Sequence, residues 1–356
     1  MTSIIYVGMD VHTTNYTLCC YSMEDDRFFA EVQVEPDAKN ILKYLARIEK
    51  QQSRDCRIVC GYEAGCLGYS LYHQLHAHGI DCVILAPTTM MTKPGKRIKT
   101  DRRDARLISK CLAFHTYSPV YIPTEVDDAV KEYIRMRDDA NSALARVKQQ
   151  IIAFCIRHGK IHDGKSYWTN KHLEWLSSLD LGNKILSEVL QEYLIRYYQL
   201  REQVDMYDMR INELAQAEPY RQKVEKLGCF RGIAAHTALS FCVEVGDFRR
   251  FATAQQFASY LGLVPGECSS GDKQQYTGIT KAGNSHLRKL LVETAQVFGR
   301  SATKSGKSVA LKERQAKCDS LTVAYADKAN ARLKKKYFKI AMRSKVNICL
   351  LYTSPS

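Results

Sequence analysis

The chain has 356 residues, 45% of them hydrophobic, enough apolar material for one or two substantial cores and two or three domains, which excludes a disordered tail. Fifty-two lysines and arginines against thirty-eight aspartates and glutamates give a formal charge of +14, which favours a polyanionic partner, nucleic acid ahead of an anionic membrane surface. No run approaches the ~18 apolar residues of a spanning helix, and the chain opens on strand-like residues without a signal peptide, so a cytoplasmic protein with no membrane role is expected.

In chain order, Ile4 to Met9, Tyr16 to Tyr21 and Phe28 to Val34 are short runs of β-formers separated by polar turns, which predict an antiparallel meander. A helical pattern follows (Ile41, Leu42, Leu45, Ile48), then a strand at Arg57 to Cys60, a helix near Leu67 to His78, and a strand at Cys82 to Leu85. Three strands and then alternating helix and strand describe an α/β domain with a mixed sheet. His73, His76 and His78 have no cysteine or carboxylate partners and read as helix surface. Thirteen cysteines occur without a C-x-x-C pair, as expected of buried thiols in a reducing compartment and not of a zinc or disulfide framework.

From about 125 to 218 the pattern is almost wholly helical. Val189, Tyr193, Tyr197, Leu200, Val204, Tyr207, Ile211 and Leu214 recur at spacings of three and four, a coiled-coil seam. A preceding helix, with Val126, Val130, Ile134, Ala140, Leu144, Val147 and Ile151 on one face, can pack against it antiparallel within the chain or pair with another protomer; Gly159, Gly164 and Gly182 lie where the chain could reverse. The region from 219 to 345 is helical with glycine-punctuated loops, and Arg332, Lys334, Lys335, Lys336, Lys339, Arg343 and Lys345 make its end strongly basic. The closing I-C-L-L-Y-T-S-P-S continues no pattern and reads as an aberrant terminus.

Asp10 ends the first strand (Y-V-G-M-D-V-H) and Glu63 follows the fourth (I-V-C-G-Y-E-A-G), so both belong to the strand-end edge where α/β sites form. Asp101 and Asp104 open a helix, three residues apart and on one face. Singly, each has a structural explanation: a helix dipole offset by aspartate, or a strand ended by it. Together, four acids repel unless a cation sits among them, and oxygen-only ligation points to Mg2+ or Mn2+. Lys93, Lys96, Arg97, Lys99, Arg102, Arg103 and Arg106 flank the pair of aspartates, with enough charge to hold phosphates beside the metal.

This order of strand-Asp, strand-Glu and helix D-x-x-D resembles the ribonuclease-H-like nuclease domain of the RuvC resolvase type. T-D-R-R-D-A-R-L-I closely resembles the DEDD transposases of IS110-family insertion sequences, relatives of the Piv DNA invertases. G-D-F-R-R-F-A-T-A-Q-Q-F-A-S-Y-L-G-L-V-P, S-S-G and G-I-T-K-A-G-N-S-H-L-R-K-L-L are similar to the C-terminal transposase domain of that family. The resemblance implies a RuvC-like DEDD domain at 1–120, a coiled-coil oligomerisation region at 121–218 and a mainly helical transposase domain at 219–345; 346–356 is the tail that continues no pattern.

The resemblance also implies a bacterial, nucleoid-associated DNA recombinase. In it Asp10, Glu63, Asp101 and Asp104 bind the metal, and Ser270, directly before Gly271, is the nucleophile that forms a phosphoserine-type DNA linkage, with Ser269 a lesser alternative. Lys281, His286 and Arg288 are candidates to stabilise the phosphorane charge. The implied partners are the DNA of the element ends and target, a structured noncoding guide (bridge) RNA, and further copies of the chain in a dimer or tetramer. G-C-F-R-G-I-A-A-H-T-A looks like a helix-hairpin-helix element in which Ala234 replaces a usual glycine, so weaker phosphate contact is expected there.

Three other functions compete. A junction-resolving nuclease uses the same carboxylates with water as nucleophile and leaves Ser270 unexplained. A sugar-kinase or actin-like ATPase also opens on an aspartate-bearing strand but needs glycine-rich phosphate loops that are missing. A non-catalytic nucleic-acid-binding protein is the remaining reading, for a degenerate copy.

Overall fold

The computed structural model describes residues 3–52, 56–65, 67–90, 100–267, 275–300 and 306–342. They fall into two compact units, Met1–Ile122 and Pro123–Ser356.

The first unit is a mixed sheet between helices. Its strands are β1 (Ser3–Val11), β2 (Tyr16–Ser22) and β3 (Arg27–Val34), then, after α1 (Ala38–Gln51), β4 (Cys56–Glu63), and after α2 (Ser70–Ala77), β5 (Asp81–Leu85); α3 (Asp101–Phe114) follows. The sheet order is β3-β2-β1-β4-β5, with β1, β2 and β3 antiparallel and β1, β4 and β5 parallel. The meander and the helix-strand alternation expected from the sequence are both present. Strand alternation divides β1 between two cores. Ile5, Val7 and Met9 face one side, packed with Ile41, Leu45 and Ile48 of α1 and Leu71 and Leu75 of α2. Tyr6 faces the other, with Ile108, Cys111 and Leu112 of α3.

Helix α3 lies unusually close to the sheet because two strand positions have no side chain. A Cβ on Gly8 would stand 2.0 Å from Ala105 O and 2.4 Å from Ser109 N, and one on Gly61 would stand 2.8 Å from a Leu112 methyl. The small Ala105 and Ser109 supply the helix half of this contact.

The second unit begins with α4 (Glu125–Arg157), followed by α5 (Asn170–Ser177) and α6 (Lys184–Gln216). Thr124 caps α4 by accepting from Asp127 N, and Asn183 caps α6 by accepting from Leu186 N. Leu144, Val147, Ile151 and Phe154 near the end of α4 pack with Leu190, Leu194 and Tyr197 near the start of α6, while Val130 and Ile134 pack with Ile211 and Ala215, so the two helices pair antiparallel within the chain. Tyr197, Val204 and Ile211 of the seam the sequence suggests are buried, and the packing departs from that pattern at its start. Leu190 and Leu194 are buried in place of Val189, which is exposed, and of the half-buried Tyr193; Val126 of α4 is also exposed.

Next come α7 (Arg221–Gly228), α8 (Ala235–Val245), α9 (Ala254–Tyr260), the hairpin strands β6 (Pro265–Glu267) and β7 (Tyr276–Ile279), α10 (Ser285–Arg300), α11 (Val309–Gln315) and α12 (Ser320–Ala341). The expected division at 218 does not separate two cores. Tyr220, Val224, Ala238, Leu239, Cys242 and Val243 pack directly on Val130, Ile134, Ile211 and Ala215. The open end of the α4–α6 pair is apolar and is covered by α7 and α8. The cysteines of the described residues are free thiols, most of them buried. No helix of the described residues is long and apolar enough to cross a membrane.

Candidate functional site

The acidic site forms where β1 ends beside the first turn of α3. Met9 of β1 is paired in parallel with Tyr62 of β4, so Asp10 and Glu63 come next on neighbouring strands. Alternation puts both on the face of Gly8 and Gly61, the face that α3 covers. Asp101 and Asp104 lie in the first turn of α3, whose N-cap, Thr100, makes no side-chain hydrogen bond to it. One ligand atom each from Asp10, His12 and Asp101 lies within 4.8 Å of the other two. Glu63 is exposed at the end of its strand and stands outside that group.

The electrostatics bear out the crowding. Burial raises the Asp10 carboxyl above its ordinary value; His12 pulls it back, and the charges of Asp104 and Asp101 push it further up. Asp10 Oδ2 is buried from solvent, with His12 Nε2 at ion-pair distance, 3.3 Å. A buried carboxylate oxygen beside further carboxylates is costly and is relieved by a cation. The residues therefore fit a divalent metal. His12 is a member that the oxygen-only reading overlooked; its signal was its place two residues beyond Asp10.

The cations around this site are less available than their number suggests. Arg106 Nε donates to Glu31 Oε2 at 2.6 Å, and Arg102 Nε lies 3.4 Å from Glu31 Oε1. Arg103 is exposed. Lys93, Lys96, Arg97 and Lys99 lie outside the described residues, as do Ser269 and Ser270.

What is described around the serine segment is its frame. Gly262 and Gly283 both adopt the left-handed region, and a Cβ on either would fall 2.0 Å from Ala282 O or 2.2 Å from Tyr260 O, so the turn before α10 is pressed against the end of α9. Arg288 Nη1 donates to Leu261 O at 2.7 Å, which commits part of that guanidinium to the fold. Lys281 is exposed, in the left-handed region. His286 is held between two acids, its Nδ1 2.6 Å from Glu244 Oε1 and its Nε2 2.8 Å from Asp138 Oδ2. Asn284 completes the lock by donating to Glu244 and capping Leu287 N with its Oδ1.

The network of Asp138, Glu244 and His286 had no signal in the sequence, because its members come from α4, α8 and α10. Burial disfavours the charged His286 ring, yet the hydrogen bonds to Asp138 and Glu244 raise it to about 9. Burial also opposes the Asp138 charge, and His236, His286 and Arg137 more than reverse this, holding the carboxyl well below its usual range. A cleft of about 200 Å3 adjoins it, lined by Arg137, Asn141, His236, Thr237, Lys289 and Glu293 among others. In the hairpin between α7 and α8, the position that requires glycine is Gly232, at φ +85°, where a Cβ would meet Thr294. Ala234 has φ −103°, which any residue adopts, so its departure from glycine costs the backbone nothing.

A five-stranded mixed sheet with acids gathered at one strand end and one helix start is the frame of a DEDD-type enzyme of nucleic-acid chemistry. Residues 7–156 match the DEDD transposase family of IS110 elements, and residues 225–314 match the Transposase IS116/IS110/IS902 family. The transposase for insertion sequence element IS1533 of Leptospira borgpetersenii is 32% identical over 348 residues, 96% of this chain and 98% of that protein. The putative transposase y4qE of Sinorhizobium fredii is 35% identical over 284 residues, 80% of this chain and 69% of that one. The transposase for IS1111A of Coxiella burnetii is 26% identical over 268 residues, 72% of this chain and 71% of that one. The chain belongs to the IS110 family of insertion-sequence transposases, enzymes that act on DNA.

Proposed function

We propose that this transposase cuts and rejoins DNA with two chemically distinct groups, an acidic metal site of Asp10, Glu63, Asp101 and Asp104, and the hydroxyl of Ser270. The observation that carries the first is the gathering of ligand atoms of Asp10 and Asp101 within 4.8 Å of each other, at a strand end beside a helix start, in a chain of the DEDD family. When bound, Mg2+ or Mn2+ supplies positive charge for the phosphate oxygens. Asp10, Asp101 and Asp104 would hold it, with Glu63 at the end of the neighbouring strand as the fourth candidate ligand. Ser270 Oγ forms the new bond to phosphorus as the bond to one DNA strand breaks. The departing oxygen takes up a proton, and attack by a DNA hydroxyl on the phosphoserine reverses the step and rejoins a strand.

Lys281, exposed at the base of the β6–β7 hairpin, is the cation best able to meet the phosphate there; Arg288 contributes the part of its guanidinium that Leu261 leaves uncommitted. His286, held by two acids, keeps the start of α10 in place. Arg102, Arg103 and the basic segment from Lys93 to Lys99 bind the DNA backbone. A noncoding RNA of the element guides target choice, a reading with which the net charge of +14 is compatible. Assembly into a dimer or tetramer uses the outer face of the α4–α6 pair, where Ile195, Met206 and Met209 are exposed.

The test is a denaturing gel of labelled DNA carrying the element ends, reacted with wild type, Ser270→Ala and Asp104→Asn, with and without protease. Wild type should give a protease-sensitive adduct that Ser270→Ala lacks while retaining nucleic-acid binding. Asp104→Asn should stop cleavage, with partial recovery in excess Mn2+. An adduct that persists in Ser270→Ala moves the nucleophile to Ser269. Cleavage without an adduct in any lane replaces the serine mechanism by a nuclease that uses water.

A further inference from the structure

Four carboxylates are not the whole of the acidic site. We propose that His12 is a direct nitrogen ligand of the cation, and that it makes the site prefer Mn2+ to Mg2+. The inference rests on the metal site described above and extends it to a residue that the carboxylate signature does not include.

Three observations carry it. The ligand atoms of Asp10, His12 and Asp101 lie within 4.8 Å of one another. Metal-ligand bonds of roughly 2.0–2.2 Å allow donors on one ion to stand up to about 4.4 Å apart, so small side-chain movements suffice to close the set. The second is contact. His12 Nε2 stands 3.3 Å from Asp10 Oδ2, an ion-pair distance, so the nitrogen of this group already lies against a carboxylate oxygen that is buried from solvent. The third is local backbone. His12 N donates to Asn15 O at 2.9 Å, closing the turn between β1 and β2 directly after the strand end that carries Asp10. The turn thus fixes the backbone of His12 beside Asp10, while the ring stays half exposed.

The selectivity follows from donor chemistry. Mg2+ favours oxygen donors and gives up water reluctantly, so an imidazole adds little to its binding. Imidazole suits the transition metals, which bind nitrogen more strongly than Mg2+ does. One nitrogen among carboxylates therefore tilts the site towards Mn2+.

Electron spin-echo spectroscopy of the full chain loaded with one equivalent of Mn2+ tests this directly, because a bound imidazole imprints a nitrogen-14 modulation on the manganese signal. Wild type should show the modulation. His12→Ala should lose it and bind Mn2+ at least about tenfold more weakly, since loss of a ligand costs no less than loss of its outer-shell support. Mg2+ affinity, read by competition, should change much less. Circular dichroism checks that the variant is folded, which the solvent-facing turn favours, and His12→Gln provides a second variant of similar size. Mn2+ bound to wild type without nitrogen modulation, or modulation that survives in His12→Ala, overturns the role of His12 and leaves the carboxylate site standing. Absence of Mn2+ binding in wild type, or binding unaffected by Asp10→Asn, overturns the carboxylate site and this inference with it.

Discussion

Gly8 has no chemistry of its own, yet the site depends on it. Asp101 reaches Asp10 because α3 lies against β1, and it lies there because Gly8 leaves space for Ala105 O at 2.0 Å from where a Cβ would be. Gly8→Ala is expected to lift the helix, lower stability by about 1–3 kcal/mol, and weaken Mn2+ binding without altering any ligand; a thermal melt and a manganese titration measure both. Unchanged metal affinity would show that α3 can shift without carrying Asp101 away. The places of Asp10 and Asp101 on their elements were legible in the sequence, since a strand end and a helix start are readable positions. The glycine was not. A glycine in a strand has several possible causes, and only the carbonyl opposite identifies this one.

At the scale of elements, His286 joins α10 to α4 and α8 through Asp138 and Glu244. Its folded value of about 9 stands above the ordinary 6.5, so the stabilisation it brings is complete below pH 6.5 and is lost as pH rises through about 9. The melting temperature of wild type should fall across that window. His286→Leu should be less stable at the acid side, by about 3–5 kcal/mol for breaking a buried ionic group, and should lack the decline that His286 causes in wild type. A melt series at stepped pH on both proteins decides it; parallel curves would mean the ring is neutral in the fold. The helices of this unit were legible from their periodicity, but their inner faces were less so. At the start of the seam Val189 is exposed and Leu190 and Leu194 are buried beside Tyr193, because α6 packs on α4 within the same chain, where neighbouring elements as well as the repeat decide which side is covered.

For the molecule as a whole, the number of compact units differs from the number of sequence regions. Helical composition changes character near 218, and the resemblance supports a division there, but Tyr220 and Val224 share a core with Ile134 and Ile211. Residues 1–122, with cores on both faces of their sheet, are expected to melt cooperatively when produced alone. Residues 123–218 should not, because the apolar end of the α4–α6 pair would be exposed; circular dichroism melts of both fragments test this, and a cooperative transition in the shorter helical piece would restore a boundary at 218. Glu31 adds a consequence for how DNA is met. With Arg106 hydrogen-bonded to it and Arg102 beside it, the carboxylate already serves as an internal counterion, occupying those guanidinium groups as a phosphate would. Engagement of α3 by a DNA strand is then an exchange of one anion for another, and it releases fewer salt ions from the protein-DNA encounter than the tally of arginines implies.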